Sequence, residues 1–412
     1  MFFQLTSKSL LYRKGSVLLT TVALSISMLV MFGVEHIRDQ AKASFASSVS
    51  GVDLIVGARS GELNLLLYSV FRMGKPTNNM SWQSYLELSK DPSVSWSFPI
   101  SLGDSHQGYK VLGTTTEYFK HFSYGTKQPL SFAHGNPFAG IFDIVIGAEI
   151  ARKLNYQIGD QIILAHGIGR TSFTNHKDNP FRIVGILQAT GTPVDQTLHV
   201  SLQGLEVLHL PTLARNKFSA NTPLQHIKYH ELQPKSVTAV MVSLKSRMKT
   251  FQFQRKINTA PHEPLMAILP GVALAQLWQT LTVAENTLQL VSALVIISTL
   301  FGLSAMLIAS IRERRQEIQL LRILGASPFY IYWIIEAEAL LITTISTAIS
   351  LIFLTLGLVF SKTYLLTQYS LSVGVNILSI KTLYTLGILL FLTMLAAFPP
   401  SLIAFKEANL KK

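Results

Sequence analysis

The chain has no cysteine. That excludes disulfides, cysteine-ligated metal sites and thiol nucleophiles, so an exported domain must hold together by its core alone. Charge is scarce too: 14% of residues are Asp, Glu, Lys or Arg, against about a quarter in ordinary soluble proteins. Acidic residues are the scarcer kind, 22 against 35 basic, giving a formal net charge of +13. The basic residues flank apolar runs and form no patch interleaved with aromatics, so membrane orientation explains the excess and no nucleic-acid partner is expected. No Walker motif is present, because Gly74-Lys75 runs into Pro76 where Ser or Thr is required. Neither His-Glu-x-x-His nor Gly-x-Ser-x-Gly occurs. No catalytic residue is assigned, and no cofactor is expected in this chain.

Apolar residues are abundant, 49% of the total, with a mean hydropathy of +0.35. Residues 1–14 carry Phe3, Leu10 and Leu11 among Lys8, Arg13 and Lys14, which reads as an amphipathic elbow helix on the inner membrane surface. Residues 15–35 are long enough to cross a bilayer. A cleaved signal peptide ending at Ala41-Lys42-Ala43 is disfavoured, because Glu35, His36, Arg38 and Asp39 would crowd its cleavage region. Further spans are expected at 288–311, 331–361 and 382–405, the last ending in Pro399-Pro400 and a basic tail with Lys406, Lys411 and Lys412.

Residues 36–287 have a globular character. Strand-like runs lie at 52–56, 109–112, 143–146, 161–165, 181–187 and 237–244, and helical ones at 62–70, 82–89, 148–154, 202–210 and 248–257. Residues 211–235 read as a polar insertion, and Leu265–Thr287 as a helix forming a stalk towards the membrane. The fold class is therefore an integral membrane α-helical protein with four transmembrane helices and a large mixed α+β extracytoplasmic domain between helices 1 and 2. The N-terminus, the 312–322 loop and the C-terminus are all basic, and four spans put them on one side, the cytoplasmic one.

The segment 312–328 is the most informative. Ile318, Leu321 and Leu324 recur at helical spacing with Leu320 and Ile323 beside them, while Arg312, Arg314, Arg315 and Arg322 cover the other flank. Gly325 suits a left-handed helix stop, and Ser327-Pro328 suits the cap and first turn of a new helix. From the residues alone, a positively charged loop with an incidental apolar flank fits equally well.

The stretch IRERRQEIQLLRILGAS closely resembles the ER-x-x-EI-x-x-x-R-x-x-GA signature of MacB/FtsX/LolC-LolE-type permeases, the type VII or mechanotransmission ABC transporters. The matching residues are Glu313, Arg314, Glu317, Ile318, Arg322, Gly325 and Ala326. YKVLGTTTEYF, IVIGAEIARKLNYQIGDQIIL and FRIVGIL resemble stretches of that family's periplasmic core domain, and Glu338 matches an acidic residue early in its third span. The glycine-rich run usual in that span is replaced by ITTISTAISLIFLTLG, which puts close helix packing there in doubt.

The resemblance implies an FtsX-like permease domain over 288–405 and a coupling helix over 312–328. It implies that a separate cytoplasmic ABC ATPase binds the ATP, and that its closure drives periplasmic rearrangement to export or extract a lipoprotein, peptide or other amphiphile. An FtsX-like member that transports nothing and switches a periplasmic partner is the alternative. The implied location is the bacterial inner membrane. Implied partners are membrane lipid, a second permease subunit (identical or different) and a periplasmic or outer-membrane protein. In this reading Ile318, Leu321 and Leu324 seat in the ATPase, while Arg312, Arg314 and Arg315 anchor to phosphates or acidic rim residues. Glu336 and Glu338 are candidate intramembrane acids, expected to reach the interface or an arginine of the coupling helix. His226 and His230 are weak metal candidates, spaced as helical ligands but too few for a site, which leaves a metal-linked transport subunit as a minor alternative.

Overall fold

The computed structural model describes residues 13–48, 50–166, 180–210, 218, 223–224, 232–369, 374 and 376–409. The elbow at 1–12, most of 211–235 with His226 and His230, and Lys411 and Lys412 lie outside the described residues. The chain splits into two compact units: residues 1–40, 282–363 and 373–412 form one, and 41–281 with 364–372 form the other.

In chain order the labelled elements begin with α1 (Lys14–Ser47), β1 (Leu54–Ala58), α2 (Glu62–Ser69), α3 (Trp82–Ser89), β2 (Val94–His106) and β3 (Tyr109–Thr114). Next come α4 (Glu117–His121), β4 (Phe132–Gly135), β5 (Asp143–Ile146), α5 (Ala148–Leu154), β6 (Gln161–Ile162) and β7 (Ala165–His166). They are followed by β8 (Phe181–Leu187), β9 (Thr197–Ser201), α6 (Leu202–Leu208), β10 (Ala239–Leu244), α7 (Thr250–Asn258) and β11 (Leu265–Ile268). The last four are α8 (Pro270–Glu313), α9 (Arg315–Ile323), α10 (Pro328–Tyr369) and α11 (Ile380–Asn409).

The second unit is built on an 11-stranded sheet in the order β11-β1-β10-β2-β3-β9-β5-β8-β4, with β7 added to β2 and β6 to β8. Its pairings are antiparallel except β9 with β3 and β8 with β5. Side chains alternate between two buried faces. Ile55 joins Phe98, Ile100, Leu112 and Tyr118 on one, while Leu54 and Val56 join Leu88, Val240 and Val242 on the other. Burial on both sides is why VDLIV reads as a solid apolar run. Gly147 opens α5 where the Val194–Asp195 backbone passes close by: a Cβ there would lie 2.3 Å from the Asp195 carbonyl oxygen.

Among the buried polar residues of this unit, one sits inside an aromatic layer. His199 on β9 is fully buried, with its ring 5.2 Å from that of Tyr118 and 5.9 Å from that of Phe119. Among the described residues neither ring nitrogen makes a well-formed hydrogen bond, the Val145 backbone being the ring's polar neighbour. Burial, with the nearby Arg72 charge second, pushes the imidazole down to about 3, so it is neutral near pH 7.

Several elements differ from the sequence reading. Leu265–Thr287, expected as one helix, opens with β11, because the free edge of β1 takes four residues in register and Pro270 restarts the chain as a helix. The expected stalk and second span are one helix, α8, of 44 residues. Strand β2 escaped notice because Pro99, Gly103 and polar residues break its alternation, and a register shift interrupts its pairing with β3 between Leu102 and Ser105. The run 161–165 divides into β6 and β7, which pair with different strands.

Among the described residues, four helices are long and apolar enough to cross a membrane: 14–46, 270–313, 328–362 and 380–406. Helix α11 does not end at Pro399-Pro400 but runs through both. Pro400 has no N–H to give the carbonyl of Ala396, and the Ser304 hydroxyl of α8 donates to that oxygen instead, at 2.5 Å. The doubt about α10 packing also resolves. Ala339, Thr343, Ser346 and Ser350 are buried along one stripe, so small hydroxyl residues take the place of glycine. Ser346 donates to the Thr21 carbonyl of α1 (3.2 Å), Thr347 to the Met28 sulfur (3.1 Å), and Thr393 of α11 to the Thr343 hydroxyl (3.3 Å).

Candidate functional site

The site grows from a break in the helix after α8. Arg314, at φ −95° and ψ 18°, leaves helical geometry, and the nine-residue α9 follows. Its end is a Schellman motif, in which Ala326 N–H donates to the Leu321 carbonyl (2.9 Å) and Gly325 N–H to that of Arg322 (3.0 Å). Gly325 sits at φ +94°, a conformation costly for any residue with a Cβ. The Arg322 guanidinium donates to the Ala326 carbonyl at 2.9 Å, closing the turn from the side. Ser327 then caps α10, its hydroxyl accepting from Tyr330 N–H at 3.1 Å. A short helix with both ends specified is thus presented between two membrane-length helices.

Its apolar residues divide differently from the sequence reading. Ile318 and Leu321 are half-buried, not open. The open ones are Leu320, Ile323 and Leu324, which are 60%, 82% and 75% exposed, followed by Phe329 at 62%. Leu320, Ile323 and Leu324 stand at i, i+3 and i+4 and so share one face. Arg312, Glu313, Arg315 and Glu317 are exposed beside it.

Arg314 is not part of the open surface. Its guanidinium donates to Glu338 Oε2 at 2.6 Å and to the Ser310 hydroxyl at 3.2 Å. Arg13, just before α1, approaches the same Glu338 oxygen at 3.6 Å. The Glu338 side chain is 1% exposed, those of Arg13 and Arg314 9% and 12%. One carboxylate on α10 therefore ties down the α8–α9 break and the entry to α1. Bridging by two guanidiniums keeps an otherwise expensive charge in this setting. Glu336, two residues earlier and so on another face of α10, is also buried, with Tyr332 and Ser401 beside it and no well-formed hydrogen bond among the described residues. The two acids are thus not brought into one cluster.

Sequence reasoning placed Arg13 only in an amphipathic elbow on the membrane surface, and chose Ile318 and Leu321 over Leu320 and Ile323. The spacing allowed either flank; packing of α9 against α11 decides between them.

Residues 17–260 match the family described as MacB-like periplasmic core domain, and residues 290–408 match FtsX-like permease C-terminal. Over 271 residues the chain is 25% identical to the uncharacterized ABC transporter permease protein Rv0987 of Mycobacterium tuberculosis; the match covers 64% of this chain and 28% of that one. The chain thus spans under a third of that relative's length. Among solved structures, the periplasmic region of MacB from Actinobacillus actinomycetemcomitans is similar at 9% identity and a TM-score of 0.34, covering 55% of this chain and 94% of that one. The extracellular domain of the noncanonic ABC-type transporter YknZ from Gram-positive bacteria is similar at 13% identity and a TM-score of 0.31, covering 53% and 99%.

Proposed function

The chain belongs to the family of ABC transporter permeases with a MacB-like periplasmic core domain and an FtsX-like C-terminal region, and from that premise we propose that it is the membrane subunit through which a separate cytoplasmic ATPase drives movement of a periplasmic domain. The substrate class is an amphiphile such as a lipoprotein or peptide, moved outside the bilayer core. The subunit works as a dimer with a second permease chain in the inner membrane, with the basic ends and α9 cytoplasmic.

The observation that carries this reading is the open face of Leu320, Ile323 and Leu324 on a helix closed by a Schellman turn at its C-terminal end and anchored at its base to Glu338. Apolar side chains so exposed on a membrane protein's polar loop find stability by seating in a partner's groove; each contributes about 1.5–3 kcal/mol when fully buried. A push on α9 then has one stiff route, through Arg314 to α10 and through Arg13 to α1.

Ile323→Asp is the direct test. The variant is expected to reach the membrane at wild-type yield but to lose the copurifying ATPase, since Ile323 makes little contact with its own chain. Undiminished ATPase recovery would reject α9 as the docking element.

A further inference from the structure

The sheet unit holds a cavity of about 250 Å³ lined by Arg72, Gly74, Lys75, Leu102, Gly103 and Lys110. Arg72 and Lys75 follow α2 in a segment where Arg72 (φ +59°) and Gly74 (φ +79°) both turn left-handed. Leu102 and Gly103 lie where the β2–β3 register slips, and Lys110 stands on β3 opposite Ser105. Two loop cations are thus brought over a sheet cation.

Among the described residues no carboxylate pairs with Arg72, Lys75 or Lys110. Arg72 is 9% exposed; its Nε has no hydrogen-bond partner among the described residues, while Nη1 donates to the Ser69 carbonyl and the guanidinium lies against the Tyr118 hydroxyl. The groups beside Arg72 are neutral near pH 7. Burial holds the Tyr118 phenol up at about 12 against the pull of Arg72, and His199 is uncharged as described above. The buried carboxylate of Asp195 is occupied, accepting from Thr190 N–H, the Thr190 hydroxyl and Gly191 N–H. Burial, and then the neighbouring charge of Lys75, lowers the Lys110 ammonium. Like charges gathered around a buried, partly unsatisfied guanidinium cost stability unless an anion joins them.

We propose that this cavity is a binding site for a phosphate group, either inorganic phosphate or the phosphate of a small ester. Three cations call for more than one negative charge, and phosphate brings about −1.5 to −2 near pH 7 where a carboxylate brings one. The guanidinium fork matches two phosphate oxygens, and the lysines supply point charges at the rim. The volume falls below the range of about 300–1,000 Å³ typical of drug-sized ligands, which suits a single small anion or the head of a longer molecule. This site involves no residue of α9, so it stands or falls apart from the coupling function.

The test uses the full chain in a phosphate-free maltoside detergent, with calorimetric titration of inorganic phosphate and of glycerol 3-phosphate. At least one of the two is expected to bind saturably with one equivalent, and Lys75→Gln/Lys110→Gln to weaken it by about tenfold or more. Equal affinities assign the site to the free anion; tighter binding of the ester assigns it to an esterified head group. Arg72→Gln is expected to abolish binding. The double lysine variant keeps the test decisive if the buried substitution prevents folding. Absence of saturable binding of either probe up to about 1 mM, or unchanged affinity in the double lysine variant, overturns the proposal.

Discussion

His199 shows what burial does to one residue. A folded-state value near 3 against an ordinary 6.5 means that the unfolded chain binds a proton between those limits and the folded chain does not. The stability this contributes is fully present above about pH 6.5 and is lost as pH falls towards 3, by up to about 1.4 kcal/mol per unit. His199→Phe keeps an aromatic ring beside Tyr118 and Phe119 and removes the titratable ring. Denaturant titrations of the full chain, followed by fluorescence of Trp82 and Trp96, should show a shallower loss of stability in the variant between pH 6.5 and 4. Parallel curves for variant and wild type would mean that His199 is not the group responsible. The sequence offered no sign of this: a histidine amid TLHVS looks like any strand residue, and only the aromatic layer around it makes it costly to protonate. The same limit applies to Arg72, whose charge became notable only when α2 and the β2–β3 slip enclosed it.

At the scale of elements, the capped helix α9 was legible, because Gly325, Ser327 and Pro328 carry local rules that act over a few residues. Which of its flanks faces outward was not, since Ile318/Leu321 and Leu320/Ile323 satisfy helical spacing alike. Nor was the donor that answers the freed Ala396 carbonyl legible: Ser304 lies 92 residues earlier, on α8. The tie between elements is Glu338. Glu338→Gln removes the carboxylate that two buried guanidiniums share, and removing one member of such a cluster costs about 3–5 kcal/mol. Thermal unfolding in detergent should fall accordingly, and Glu338→Gln/Arg314→Gln should recover part of the loss, because the second change removes one of the stranded charges. If coupling runs through this contact, the single variant should still copurify with the ATPase while ATP turnover no longer responds to the permease. A normal melting temperature together with a normal response would show that the contact is dispensable.

For the whole molecule, the absence of cysteine becomes a tool. Gln316→Cys on α9 and Asn78→Cys in the sheet unit are both exposed positions in a chain with no other thiol. In spheroplasts an impermeant maleimide should label Asn78→Cys readily, and Gln316→Cys only after lysis. The opposite pattern would reverse the orientation read from the basic segments. The sequence by itself determined the four apolar helices, the mixed domain between the first two and the motif between the second and third. Hydrophobic length, charge flanking and capping are properties of consecutive residues, so no folded partner is needed to express them. Tertiary structure alone decided that α10 packs through hydroxyl residues, that Arg314 faces Glu338, that Leu320 and Ile323 lie open and that three cations line one cavity. Each depends on residues far apart in the chain, and their contact energy exists only once the chain has folded around them.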